Sequence, residues 1–231
     1  QNRRQCLSVR VRGREWRLEV RYTVEEIRQI LSYLANYSLY AYEREIRQGY
    51  LTLPGGHRLG LVGRAVLEGD RIMSLMEISA LNLRLAHEKK GCADSVISCL
   101  WEQDNLCDTL VVSPPGGGKM TLLRDCIRQI SDGTKEHRGR TVGVVDERSE
   151  IAGCCRGVPE NDVGMRTDVL DGCPKTLGMR MLLRSMAPEV LAVDEIGSEE
   201  DVREIQYAAN CGCTVFATVH GDSLDALQNQ P

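Results

Sequence analysis

The stretch Leu110-Val-Val-Ser-Pro-Pro-Gly-Gly-Gly-Lys119-Met-Thr-Leu-Leu-Arg124 decides the fold. A short apolar run leads into two prolines and three glycines. Lys119 follows, and then Leu122, Leu123, Cys126, Ile127 and Ile130 recur at helical spacing. Strand, glycine loop, lysine and helix in that order form the setting of a phosphate-binding loop. Backbone N–H groups of such a loop, and of the helix N-terminus behind it, bind phosphate oxygens. Glycines let the backbone close on the anion, and a lysine adds a mobile point charge. Ser113, Pro114, Pro115, Gly116, Gly117, Gly118, Lys119, Met120 and Thr121 are therefore the expected nucleotide-binding set. Two positions depart from the G-x-x-x-x-G-K-[ST] pattern. Ser113 replaces the first glycine, a mild change because serine is small. Met120 replaces the Ser or Thr whose hydroxyl normally ligates magnesium. Thr121 lies one helical step on, turned about 100° away.

Further apolar runs follow at 109–112, 141–145, 190–193 and 214–219, separated by helical patterns at about 118–131, 176–187 and 199–211. Strands alternating with helices imply a parallel sheet covered on both faces. Ser198 and Asp201 read as the cap of the third helix and Gly212 as its end. Residues 146–175 show neither period clearly.

Ligands of open α/β sheets bind at the carboxyl ends of the strands, and three such ends carry chemistry. Val190-Leu-Ala-Val-Asp194-Glu195 has the form of a Walker B strand. There Asp194 is expected beside the loop, holding magnesium through water, and Glu195 is expected to orient an attacking water as general base. Val144-Val-Asp-Glu147 repeats the pattern, so Asp146 or Glu147 is a candidate to share that work; an ordinary loop acid is the rival reading. His220 ends the last strand and is a candidate γ-phosphate contact. Arg148, Arg156 and Arg166 lie in or near the irregular segment, where an arginine finger toward a neighbouring subunit competes with plain surface or ion-pair roles.

Upstream, residues 6–22 alternate as a hairpin, and Thr23 with Glu26 forms a capping-box signature. Ile27, Ile30, Leu31 and Leu34 mark a helix, 39–48 reads as a second, and Pro54-Gly55-Gly56 as a turn. Strands are expected at 58–67, 71–78 and 81–86. The chain thus divides into a small α+β domain over 1–91 and a RecA-like α/β domain, mainly parallel, over 92–231.

Bulk composition is that of a globular chain: 231 residues, 27% charged and 42% hydrophobic, with aromatics only 4%. No apolar run is long enough for a membrane helix, and no signal peptide is visible. The ten cysteines show no CxxC pair and read as reduced, small hydrophobes. The net charge of −4 hides an asymmetry of +6 over residues 1–91 and −10 over 92–231. Such halves can attract each other within or between subunits; a basic half touching nucleic acid and a merely solvated surface are the alternatives.

The segments SPPGGGKMTLLRD, VGVVDERSEIAGCCRGVPENDVGMRTDVLDGCPK and LLRSMAPEVLAVDEIGSEEDV, with NYSLYAYEREIRQGYLTLPGGHRLGL upstream, resemble the family of stage III sporulation protein AA. That family is similar to the secretion ATPases of type II and type IV systems. The resemblance implies ATP and Mg2+ as ligands, Walker A at 113–120, an acidic box at Asp146–Glu150, Walker B at 190–195 and a histidine box around His220. It further implies a homo-hexamer in the mother-cell cytoplasm of an endospore former, energising membrane-embedded channel proteins that link mother cell and forespore. Because the family's sheet continues past Pro231, the chain is expected to be C-terminally incomplete. A hydrolysing motor is the expected function. An ATP-dependent single-stranded nucleic-acid-binding protein and a non-hydrolysing scaffold are its competitors, the latter favoured by Met120.

Overall fold

The computed structural model describes residues 5–11, 13–36, 39–114 and 116–221. Contacts divide the chain into two compact units. The first comprises Gln1–Leu53 and His57–Leu85, the second Pro54–Gly56 and Ala86–Pro231.

In the first unit, strands β1 (Gln5–Val11) and β2 (Arg14–Tyr22) form the expected antiparallel hairpin, with Val9 opposite Trp16. Helix α1 (Val24–Leu34) starts at Thr23, whose hydroxyl accepts from the Glu26 N–H while the Glu26 carboxylate accepts from the Thr23 N–H. Helix α2 (Glu43–Arg47) follows a 3₁₀ turn at Leu39–Tyr42. Strands β3 (Tyr50–Leu53), β4 (His57–Glu68) and β5 (Arg71–Arg84) make an antiparallel sheet. Ile27 and Leu31 of α1 pack on Leu51, Leu59, Leu61 and Ile78. The two strands expected at 71–78 and 81–86 are one. A kink at Glu77, where φ is +50°, interrupts the alternation without ending the strand. Gly63 faces that kink, and a Cβ there would lie 2.5 Å from the Met76 carbonyl oxygen, so only glycine fits.

In the second unit, the short strands β6 (Trp101–Glu102) and β7 (Asn105–Leu106) precede a five-stranded parallel sheet. Its elements in chain order are β8 (Thr109–Ser113), α3 (Lys119–Asp132), β9 (Val142–Asp146), β10 (Thr167–Asp171), α4 (Lys175–Ser185), β11 (Val190–Ile196), α5 (Glu199–Asn210) and β12 (Thr214–His220). The order across the sheet is β10-β9-β11-β12-β8. Alternate residues of each strand face opposite layers. Val142, Val144, Val190, Ala192 and Phe216 pack under α3 with Leu123, Cys126, Ile127 and Ile130. Val145, Leu191, Val193, Val215 and Ala217 pack on Met179, Leu182 and Ala208 of α4 and α5. Ser198 and Asp201 cap α5 reciprocally, and Gly212, at φ +82°, follows its end.

Strand β10 corrects the reading of 146–175 as irregular throughout. Its sequence TDVLD is short and half polar because it pairs on one side only, with β9 at the sheet's edge. All nine described cysteines are free, and Cys126, Cys154 and Cys213 are buried. No helix among the described residues is long and apolar enough to cross a membrane.

Candidate functional site

Strand β8 delivers the chain to the glycine loop, and α3 begins at Lys119. Gly116 and Gly118 adopt φ of +79° and +85°, left-handed conformations that L side chains rarely take. A Cβ on Gly117 would stand 2.0 Å from Ser113 Oγ and 3.1 Å from the Pro114 carbonyl oxygen, so a side chain there would displace the Ser113 hydroxyl. Ser113 itself is accommodated, its hydroxyl donating to the Pro114 carbonyl at 3.2 Å. Pro115 lies outside the described residues.

Lys119 is buried, and its ammonium donates to the Val219 carbonyl at 3.4 Å and to Nδ1 of His220. On the other side of the ring, Nε2 of His220 lies 2.6 Å from the Glu195 carboxylate. With Nδ1 accepting from an ammonium, Nε2 carries the ring proton and donates to Glu195. Burial holds the Lys119 ammonium below its usual pKa, and the charge of Glu195 opposes the shift. The sheet order explains this chain of three groups. Strand β12 lies between β8 and β11, so its terminal histidine stands between the loop lysine and the glutamate. His220, the candidate γ-phosphate contact, bridges the loop lysine and Glu195. β11 is not the neighbour of β8, so Asp194 is one strand farther from the loop than the strand-end reading implied.

Asp194 is 4% exposed. Its Oδ1 is buried without a hydrogen-bond partner, 3.6 Å from Nζ of Lys175. Burial pushes its carboxyl up to about 7; Lys175 pulls it down, while Asp146 and Glu147 push it further up. Lys175 also donates to Glu147 at 3.1 Å. Asp146 is wholly buried and accepts from the N–H groups of Glu150, Ile151 and Ala152 at 2.8–3.0 Å. Burial raises its carboxyl to about 6 against the pull of these amides. Both oxygens are thus committed to holding the 150–152 turn, which corrects the expectation that Asp146 is available for water or metal.

Arg166 is likewise not a free finger. Its guanidinium donates to the carbonyls of Ser131 (3.0 Å) and Asp132 (3.4 Å) at the end of α3, where a cation satisfies orphan carbonyls. Arg148 and Arg156 are exposed. Met120 is half-buried and packs against the apolar layer under α3, together with Leu122. It contributes no oxygen ligand, and Thr121 does not stand in its place in the motif.

Two residues escaped the sequence reading. Lys175, the first residue of α4, joins the two acidic strand ends. Arg124, buried in α3, donates to the carbonyls of Glu150 (2.7 Å), Ile151 and His87 (3.3 Å), fixing the acidic-box turn to the loop helix. Its signal was its place one turn past Lys119 on a helix whose neighbours are apolar. For a divalent metal, the orphaned Oδ1 of Asp194 is a hard oxygen donor that fits a magnesium ion or its water. Among the described residues no group of three or more His, Cys, Asp or Glu is placed to hold a metal.

A parallel α/β sheet with a glycine loop at one strand end and an Asp-Glu pair two strands away defines a RecA-like P-loop NTPase fold. The family model of sporulation stage III, protein AA matches residues 8–231, and the chain belongs to that family. It is 44% identical over 220 residues to stage III sporulation protein AA of Bacillus subtilis (strain 168), covering 95% of this chain and 71% of that protein. Protein SEEDLING PLASTID DEVELOPMENT 1 of Arabidopsis thaliana is 29% identical over 158 residues, 68% of this chain and 22% of the plant protein. Among solved structures, the Legionella pneumophila ATPase DotB aligns with a TM-score of 0.61 at 18% identity, over 95% of this chain and 60% of DotB. The pilus retraction motor PilT, solved with bound ADP, aligns with a TM-score of 0.64 at 19% identity, over 97% of this chain and 64% of PilT. This chain therefore spans less than two thirds of the length of those two structures.

Proposed function

We propose that this chain is an ATP-binding and ATP-hydrolysing motor subunit that works as a homo-hexamer on membrane-embedded sporulation channel proteins, from the mother-cell cytoplasm. The observation that carries the reading is the linked set Lys119–His220–Glu195 at the carboxyl edge of the sheet. It joins the loop cation to the carboxylate that would act on water. In this reading residues 1–91 form the N-terminal domain and 92–231 the ATPase domain.

The loop N–H groups, the N-terminus of α3 and the Lys119 ammonium bind the phosphates of ATP. An arriving phosphate competes with His220 for the Lys119 ammonium. Once Lys119 turns to the anion, His220 keeps its Nε2–H on Glu195, and its released Nδ1 donates to a γ-phosphate oxygen only on taking up a proton of its own. Glu195 then accepts a hydrogen bond from the attacking water and takes its proton. Magnesium, when bound, neutralises phosphate charge as the γ-phosphoryl group leaves; Asp194 would hold it. Glu147, tied to Lys175, supports this arrangement from the neighbouring strand.

One observation favours a second reading. Met120 brings no hydroxyl to the metal, so a chain that binds ATP but turns it over slowly, using nucleotide mainly to order an oligomer, fits the loop as well. Calorimetric titration of ATP tests both. The wild type binds, and Lys119→Ala loses at least about tenfold in affinity, the loss expected when a buried charge–phosphate contact goes. Equal ATP binding by Lys119→Ala would remove the phosphate-loop assignment. Magnesium-dependent turnover then separates motor from scaffold.

A further inference from the structure

Lys175 sits where neither helix stability nor burial favours it. It opens α4, whose N-terminus carries positive partial charge and disfavours a cation. The first turn of α4 has no acidic residue, and its N-cap Pro174 supplies no side-chain cap. The Lys175 side chain is only 13% exposed. Taking an ammonium out of water is costly unless it is paired. Its partners are Glu147 Oε2 at 3.1 Å and Asp194 Oδ1 at 3.6 Å. These acids lie at the same edge of two adjacent parallel strands, so one ammonium bridges both. The helix is held tightly enough to fix it there: a Cβ on Gly178 would lie 2.5 Å from Cγ1 of Val145 on β9. Asp194 Oδ1, buried and without a hydrogen bond, is the atom that the divalent metal would use.

We propose that Lys175 is a built-in counter-cation that competes with the divalent metal for Asp194. Before nucleotide binds, its ammonium offsets the charge at Asp194 and Glu147 and disfavours free metal there. The metal enters with the nucleotide, whose phosphates supply the extra negative charge, and Lys175 then withdraws onto Glu147, its nearer partner. The idea rests on the reading that this site takes a metal–nucleotide complex, and it adds an ordering to it: metal binds with nucleotide and not before. That ordering has a specific use in a loop that lacks the threonine hydroxyl. With Asp194 as the main protein anchor, the balance between ammonium and metal at one carboxylate decides occupancy.

The test is Mn2+ binding without nucleotide, followed by the loss of free-ion signal in electron paramagnetic resonance. Wild type binds Mn2+ weakly. Lys175→Met binds one Mn2+ per chain about tenfold tighter or more, because a unit charge a few ångströms from the ion has been removed. Lys175→Arg, which keeps the charge, behaves as wild type. Adding Asp194→Asn to Lys175→Met abolishes the gain. If Lys175→Met does not fold, Lys175→Gln carries the same expectation. Equal Mn2+ affinity in wild type and a folded Lys175→Met, or a gain that survives Asp194→Asn, overturns the proposal. ATP titration of the wild type is run alongside. A Lys175→Met gain in a chain that binds no ATP leaves the cation competition standing and removes the nucleotide reading. ATP binding without the gain does the reverse.

Discussion

Two neighbouring strands carry nearly the same four residues toward their carboxyl ends, Val144-Val-Asp-Glu147 at β9 and Ala192-Val-Asp-Glu195 on β11. They run parallel in register, with Val144 beside Ala192 and Val145 beside Val193. Yet their carboxylates do different work. Asp146 accepts three backbone amides and anchors a turn; Asp194 has a buried oxygen without a hydrogen-bond donor. Glu147 meets Lys175; Glu195 meets His220. What differs is the backbone around the pattern. After Asp146 the chain folds back, with Ser149 at φ +54°, and brings its own amides onto the carboxylate. β11 continues to Ile196, and its register against β12 shifts between Val193 and Glu195. A bulge of this kind re-aims a side chain and leaves it outside the ladder. An Asp-Glu pair is thus a structural anchor when the turn closes on it, and keeps a carboxylate oxygen free of backbone amides when the strand runs past it.

The largest effect expected from this contrast is on stability. Asp146→Ala leaves three buried amides unpaired and should lower stability by about 4 kcal/mol, using roughly 1–3 kcal/mol per orphaned donor. Asp194→Ala removes a buried, poorly paired charge and should leave stability near or above wild type. Urea unfolding at pH 8 measures both, and equal losses would erase the distinction.

The pH dependence sharpens it. The Asp194 carboxyl stands at about 7 in the fold against an ordinary 3.8, chiefly through burial. A raised carboxyl contributes stability that is intact below the unfolded value and is lost as pH rises through the folded one. Wild type should therefore lose stability relative to Asp194→Ala between about pH 4 and 7, by about 2 kcal/mol after discounting the 1.36 kcal/mol per unit for relaxation around the group. A flat difference across that window would place the titration elsewhere.

Met120 gives a smaller effect. A thioether is a soft, weak ligand for a hard cation. Met120→Thr should raise magnesium-dependent ATP turnover by about tenfold, about 1.4 kcal/mol of barrier, while ATP affinity changes much less. Unchanged turnover across a magnesium titration would make the hydroxyl dispensable. Smallest is the salt effect on self-association: attraction between the +6 of residues 1–91 and the −10 of 92–231 in neighbouring subunits should weaken as salt rises, since exposed charges are screened beyond about 8–10 Å near physiological ionic strength; light scattering with increasing NaCl reads it, and salt-independent oligomer size would count against it.

The sequence made most of this frame legible where one physical signal dominated. Apolar runs located β9, β11 and β12, because strands buried on both faces have little else, and β8, at the other end of the described sheet, through its run Leu110-Val-Val ahead of the glycines. Glycines and Lys119 marked the loop, and Asp194, Glu195 and His220 stood out as candidates because each follows the apolar run of such a strand. β10 was hidden because, with Thr167, Asp168 and Asp171 among its five residues, it lacks an apolar run. The division at residue 79 was read where β5 only kinks. Lys175, Arg124 and Arg166 were not legible as functional or scaffolding cations. Their roles depend on long-range docking: α4 on Val145 through Gly178, Arg124 on carbonyls 26 to 37 positions away in sequence, and Arg166 on the end of α3.

The central claim is that of the two matching strand ends only the second carries out chemistry on water. The most direct measurement is steady-state ATP turnover of Glu195→Gln and Glu147→Gln side by side, with ATP affinity measured for each. The account predicts that Glu195→Gln loses turnover by at least about a hundredfold, at the scale of removing a positioned general base, and still binds ATP, while Glu147→Gln retains most of its rate. Full activity in Glu195→Gln with loss in Glu147→Gln would contradict it and move the base to the acidic box.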